Sequence, residues 1–274
     1  MNFREVYNYV TSKLNSVGIF NKSETDFLIC EALGIKRIKL KLLKTISSAE
    51  YNAITKILLE RVKHKPLDKI LQCANFFGYN FLVNEDVLSP RPETEILVEE
   101  VIKYIKSKGQ NLKVLDLCTG SGCIAIIIAL KTNADVVATD ISAKALKIAK
   151  TNADSLGAEV QFIESDLFKK LENAKFDIIV SNPPYIPSAD IKTLDPEVKN
   201  YDPIIALDGG INGLEFYKKI IAEAKNYLNK NSLLCFEVGF GQAKKVKTLM
   251  EKDYTVVVIK DYSQIERVVY GIRR

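Results

Sequence analysis

The sequence has one histidine, five scattered cysteines and no long apolar run, and each shortage removes a class of protein. His64 would have to serve alone in a lysine-rich segment, so Ser-His-Asp and Cys-His catalysis are not expected. Cys30, Cys73, Cys118, Cys123 and Cys235 form no CxxC pair and are too few for a disulfide framework. Structural zinc needs four soft ligands at tight spacing, so no metal is expected, and the thiols fit a reduced, cytoplasmic protein. The longest apolar run, Cys123–Leu130, is eight residues, against the roughly 20 needed to cross a bilayer. The first twenty residues carry Arg4, Glu5 and Lys13 and no apolar core, so no secretory signal is expected. At 47% hydrophobic and 27% charged residues, the 274-residue chain has ample apolar surface to offset chain entropy, which excludes disorder.

Charge and periodicity divide what remains. Residues 1–75 hold 13 Lys and Arg against 7 Asp and Glu, a net of +6, and the other 199 hold 26 against 27, a net of −1. In the first part apolar positions recur at three- and four-residue spacing: Val6, Val10, Leu14; Phe27, Cys30, Ala32, Leu33; Ile54, Ile57, Leu58, Val62. That spacing predicts short amphipathic helices. Ser23 with Asp26 reads as a capping-box-like start, Ser48 as a plain cap, and Gly18 and Gly34 as helix stops. Residues 1–75 are therefore expected to form a small helical bundle. Residues 76–92, with Phe76, Phe77, Gly78, Tyr79, Pro90 and Pro92, read as a hairpin linker, leaving 93–274 as the second domain.

From about residue 110, β-branched runs alternate with helical stretches. Strands are expected at Lys113–Cys118, Asp135–Ile141, Val160–Ser165, Phe176–Ser181, Leu233–Gly239, Thr255–Lys260 and Glu266–Ile272. Helices are expected at Cys123–Lys131, Ala143–Leu156 and Leu214–Leu228. This alternation predicts an α/β fold with a seven-stranded, mostly parallel, doubly wound sheet whose last two strands pair as an antiparallel hairpin.

The first of these strands runs into Asp116-Leu117-Cys118-Thr119-Gly120-Ser121-Gly122, an apolar strand ending in a glycine turn that opens a helix. Ligands of doubly wound sheets sit at such strand ends. A dinucleotide turn would carry a third glycine where this chain has Ala125, and Asp116 would repel a pyrophosphate. A cofactor without phosphate fits better, since Asp116 could pair with an α-ammonium and the N–H groups around Gly120 and Gly122 with a carboxylate. That describes the methionine end of S-adenosyl-L-methionine; a purely structural turn is the competing reading. Asp140 ends the second strand, where a carboxylate can take both ribose hydroxyls. Asp166, with Leu167 and Phe168, ends the third, where it can take an adenine amino group between apolar flanks.

At the fourth strand end stands Asn182-Pro183-Pro184-Tyr185. Neither proline donates a hydrogen bond, so the turn is stiff and extended and presents the Asn182 side chain and the Asn182 and Pro183 carbonyls as acceptors beside the cofactor. Acceptors plus the flat face of Tyr185 suit a planar –NH2 group, holding its nitrogen in line with a methyl donor.

With these residues the sequence resembles the protein-(glutamine-N5) methyltransferases that modify class 1 peptide release factors, the HemK/PrmC family, over essentially its whole length. The resemblance also takes in Pro66–Leu71, Phe76-Phe77-Gly78, Leu88–Glu95, Ala206–Gly210 with Gly213-Leu214, and Phe236–Gly239. It implies a Rossmann-like class I methyltransferase domain behind a helical bundle that recognises the release factor. It also implies that Thr119, Gly120, Ser121, Gly122, Asp140, Leu167 and Asn182 contact S-adenosyl-L-methionine, which leaves as S-adenosyl-L-homocysteine. Asn182, Pro183, Pro184 and Tyr185 would hold the glutamine of a Gly-Gly-Gln tip, with no membrane and no required nucleic acid as partner. Cys118, Leu167 and Asp68-Lys69 depart from the commoner glycine, aromatic and small-aromatic choices. Two alternatives are an adenine-amino methyltransferase acting on DNA or RNA, which shares the Asn182–Tyr185 motif, and a catalytically silent cofactor-binding scaffold.

Overall fold

Phe3, Val6, Val10 and Leu14 recur on one helical face and are buried along α1 (Phe3–Ser16). Asn2 starts this helix, its side chain accepting from the Arg4 and Glu5 amides at 2.9 and 3.4 Å. α2 (Lys22–Leu33) starts from Asn21, not Ser23, because the Asn21 side chain accepts the Ser23 N–H at 2.9 Å. Asp26 is no cap; it accepts from Tyr7 Oη and from Arg37 Nη2, each at 2.7 Å. α3 (Ser48–Arg61) is capped by Ser47, one residue before the expected Ser48, and the shift places Glu50 where it closes a full capping box. Gly34, at φ 62°, ends α2 as expected. After α4 (Leu67–Leu71) the helical core is closed around Val10, Leu14, Leu28, Ile29, Ile54 and Leu58.

The structure, a computed structural model, describes residues 1–109, 111–172 and 174–274, and these divide into two units. The first is Met1–Gln72 with the short helix Pro196–Tyr201, and the second is Cys73–Asp195 with Asp202–Arg274. Arg61, 4% exposed, joins the distant segment to the first unit: its guanidinium bonds Glu24 and Glu197, each at 2.5 Å.

The second unit opens on a hairpin, β1 (Cys73–Phe76) and β2 (Tyr79–Leu82), three residues upstream of the expected linker. Phe77 and Gly78 both take left-handed φ, 55° and 79°, as a two-residue turn between right-twisted strands requires. Pro92 then starts α5 (Pro92–Lys108), where its missing N–H costs nothing. The sheet comprises β3 (Lys113–Leu117), β4 (Asp135–Asp140), β5 (Gln161–Glu164), β6 (Phe176–Ser181), β7 (Leu228–Glu237), β8 (Tyr254–Lys260) and β9 (Glu266–Arg273). Their order is β5-β4-β3-β6-β7-β9-β8, and β9 alone runs against the direction of the other six. The helices are α6 (Cys123–Lys131), α7 (Ala143–Leu156), α8 (Pro196–Tyr201, in the first unit), α9 (Glu215–Tyr227) and α10 (Ala243–Met250). Both sheet faces are covered, which is why its strands are apolar nearly throughout. Val114, Ile178 and Val180 face α5 and α6, while Leu115, Ile179 and Leu234 face α9 and α10. No helix among the described residues is long and apolar enough to cross a membrane.

β3 pairs with β4 on one side and β6 on the other, so the winding reverses there. Leu117 lies level with Thr139 and with Ser181, which puts the three carboxyl ends side by side. Such a reversal opens a crevice outside the strand ends.

Candidate active site

The crevice is a cavity of about 260 Å³ whose wall includes Thr119, Gly120, Ser121, Asp140, Asp166, Leu167, Asn182 and Pro184. Eight of the sequence-predicted site residues thus meet in one place, all within the second unit. Asp116, Gly122, Pro183 and Tyr185 do not line it.

The glycine loop holds itself open. Gly122 caps α6 at φ 82°, and a Cβ there would stand 3.0 Å from Cβ of Ala149 on α7, so only glycine lets the two helices approach. The expected free N–H groups are already engaged: Gly120 N donates to Asp140 Oδ2 and Gly122 N to the Thr119 carbonyl, both at 2.9 Å. Asp140 Oδ1 accepts from Ser142 N at 2.9 Å, so this carboxylate ties the loop after β3 to the loop after β4. Asp116 does not reach the cavity. It is fully buried, accepts from Thr119 Oγ1 at 2.6 Å, and burial pushes its carboxyl up to about 7. It supports Thr119, which does face the cavity. Asp166 is paired with Lys169 at 2.6 Å. Leu167 borders the cavity, whereas Phe168, expected beside it, turns into the core and stacks on Tyr227 at 4.5 Å.

The Asn182–Tyr185 turn is braced from behind. Tyr185 is half-buried; its carbonyl accepts from Gln242 Nε2 at 2.8 Å, and Gln242 Oε1 accepts from Gly239 N at 3.1 Å. A Cβ on Gly209 would stand 2.7 Å from Tyr185 Cα, and one on Gly239 would stand 2.9 Å from its ring. The Asp208-Gly209-Gly210 and Glu237-Val238-Gly239 segments are therefore a cradle for this turn. Burial raises the Tyr185 hydroxyl far above the usual tyrosine range, so it stays protonated at neutral pH. Asn182 Nδ2 faces Thr94 Oγ1 at 3.4 Å, and Thr94 Oγ1 donates to Glu237 Oε2 at 2.6 Å. Burial lifts the Glu237 carboxyl to about 7.

Thr94, Glu237 and Gln242 are the members that the sequence reading misses as individuals. Thr94 and Glu237 stand inside the Leu88–Glu95 and Phe236–Gly239 segments, but nothing local in the sequence says that those segments meet. The donor set fits a nucleoside-bearing cofactor such as S-adenosyl-L-methionine. Asp140 offers acceptors, Ile141 and Leu167 apolar walls, and the buried Ser89 hydroxyl in the same wall has no partner among the described residues.

Residues 92–195 match the family described as Methyltransferase small domain. A protein named release factor glutamine methyltransferase from Geobacter sulfurreducens is 39% identical over 274 residues, covering 98% of this chain and 95% of that one. Another of that name, from Thermodesulfovibrio yellowstonii, is 40% identical over 257 residues and 91% of each chain. A methyltransferase crystal structure from Pyrococcus furiosus is similar in fold alone, with a TM-score of 0.55 at 18% identity, covering 78% of this chain and 96% of that one. The sheet, its reversal and the glycine loop define a Rossmann-like class I methyltransferase. Within that class, the chain belongs to the release factor glutamine methyltransferase family.

Proposed function

We propose that this chain is a cytoplasmic enzyme that methylates the side-chain amide nitrogen of the glutamine in the Gly-Gly-Gln motif of class 1 peptide chain release factors. The observation that carries the reading is the placement of Asn182 and Pro184 on the wall that also holds Gly120 and Asp140, in a chain whose relatives bear that name end to end. S-adenosyl-L-methionine, when bound, supplies an electrophilic methyl group on a sulfonium. Asp140 would take the ribose hydroxyls, Leu167 and Ile141 would flank the base, and Thr119–Gly122 would border the methionine end.

The remaining work falls to the proline turn. An amide nitrogen is a poor nucleophile because its lone pair is delocalised into the carbonyl. Asn182 Oδ1 and the Pro183 carbonyl accept its two N–H hydrogens, aiming the nitrogen and favouring its pyramidal form. Tyr185, set behind the cavity wall with its ring against Gly239, would brace the turn. The amide proton becomes acidic only after transfer and passes to solvent, so no strong base is required. The helical unit, with its excess of lysine and arginine, would hold the body of the release factor.

The test is transfer of label from methyl-labelled S-adenosyl-L-methionine to purified release factor, with bulk RNA and DNA in parallel. Label in the Gly-Gly-Gln peptide is expected. Label in nucleic acid alone, or none in the release factor, would overturn the reading.

A further inference from the structure

Behind Asn182 lies a chain of two hydrogen bonds that ends on a buried carboxylate. Glu237, at the end of β7, is 3% exposed, and Thr94, on the first turn of α5, is 2% exposed. The 2.6 Å separation between Thr94 Oγ1 and Glu237 Oε2 is that of a charge-assisted bond. Direction follows from elementary valence. A carboxylate only accepts, so the single hydroxyl hydrogen of Thr94 goes to Glu237. What Thr94 then offers Asn182 is a lone pair, and the amide edge turned toward it, at 3.4 Å, has to be the NH2. The carbonyl Oδ1 is thereby left for the cavity.

We infer that Glu237, acting through Thr94, fixes the sense of the Asn182 amide so that an acceptor and not a donor faces the substrate nitrogen. This rests on the function proposed above and adds two positioning residues to it. A flipped amide would set N–H against N–H, and the substrate would be repelled at the atom that must react.

The relay has a protonation limit. Glu237 faces Arg267 from β9, which lowers its pKa, and Glu93 from α5, which raises it. It also lies near the phenols of Tyr185 and Tyr217 and the Cys123 thiol, all raised by burial and so neutral at pH 7. Burial is the largest influence and sets the carboxyl at about 7. Below that pH, Glu237 can donate to Thr94, whose hydrogen is then free for Asn182 Oδ1, and the relay reverses. Activity is therefore held above about pH 7 and lost as pH falls.

The experiment is steady-state methylation of release factor between pH 6 and 8 by the full-length enzyme and three variants. For the wild type at saturating S-adenosyl-L-methionine, Glu237 titrating near 7 gives about a tenfold fall in kcat from pH 8 to pH 6, with KM for release factor nearly constant; Asp116, also near 7 but under the cofactor loop, would act on cofactor affinity. Thr94→Val should lose about ten- to a hundredfold in kcat at pH 8 and show no acid limb, and Thr94→Ser should recover both. Glu237→Gln should flatten the same limb; if it does not fold, the two Thr94 variants decide alone. Wild-type kcat in Thr94→Val, or an acid limb unchanged in Glu237→Gln, would overturn the relay while leaving the proposed reaction standing. A wild type that labels no release factor overturns the proposed reaction, and the relay with it.

Discussion

Asn182 carries the most chemistry for its size, because a neutral side chain is asked to steer a poor nucleophile. Its acceptor matters most when the nitrogen pyramidalises, so Asn182→Ala should lower kcat more than it raises KM, on the order of 100- to 1,000-fold. Asn182→Asp keeps an acceptor for the substrate but loses the NH2 that meets Thr94 and sets a second carboxylate near Glu237, so it should not restore the kcat of asparagine. Near-normal kcat in the alanine variant would mean that the proline turn works by shape alone. How much of this was legible in the sequence depends on the residue. Asp140 and Asn182 follow from their strand ends, because a parallel strand delivers its last side chains to the carboxyl edge whatever else happens. Asp116 shows the limit: one residue inside the strand, it is buried, and its contribution passes through Thr119. Phe168 shows another, since the residue after a left-handed Leu167 (φ 51°) turns toward the core.

Among the elements, those with strong periodicity lie where the sequence places them. β3, β4 and β6 begin at Lys113, Asp135 and Phe176 as expected, because buried parallel strands read as unbroken apolar runs. β7 begins at Leu228, ahead of the expected Leu233, through Asn229-Lys230-Asn231, exposed residues that no apolar pattern can reveal. The caps stand at Asn21 and Ser47, ahead of the expected Ser23 and Ser48, for a related reason: a cap is chosen by which side chain reaches an amide, and its neighbours in sequence look alike. The connection from Asp202 to Leu214 was not legible as an element at all, yet it shapes the site. Gly213 sits at φ 68° with its open face against the Tyr185 carbonyl and the Gln242 amide. Gly213→Ala should push the proline turn out of place and lower kcat at least tenfold, with S-adenosyl-L-methionine affinity by calorimetry nearly unchanged. A variant with normal kcat would show that the cradle does not hold the turn.

On the scale of the whole molecule, the division into two units hides a thread between them in the sequence. α8 leaves the catalytic stretch after Asp195 and is counted with the helical unit, where Glu197 and Glu24 share Arg61. Arg61→Leu would leave two carboxylates facing each other without their cation. Breaking a buried pair costs about 3–5 kcal/mol, and since both glutamates are partly exposed the expected loss is nearer about 2 kcal/mol. Thermal unfolding should show a lowered transition in which cofactor affinity plays no part; an unchanged melting curve would mean that the pair is ornamental. The same arrangement also bears on how the protein is made. Residues 1–72 leave the ribosome ahead of α8, and the helix that brings Glu197 to Arg61 is complete only at Tyr201, some 130 residues later. At about 5–20 residues per second, that is a wait of roughly 6–25 s. A segment made early thus gains its second carboxylate partner late, and a nascent chain stalled before Tyr201 carries Arg61 with Glu24 alone.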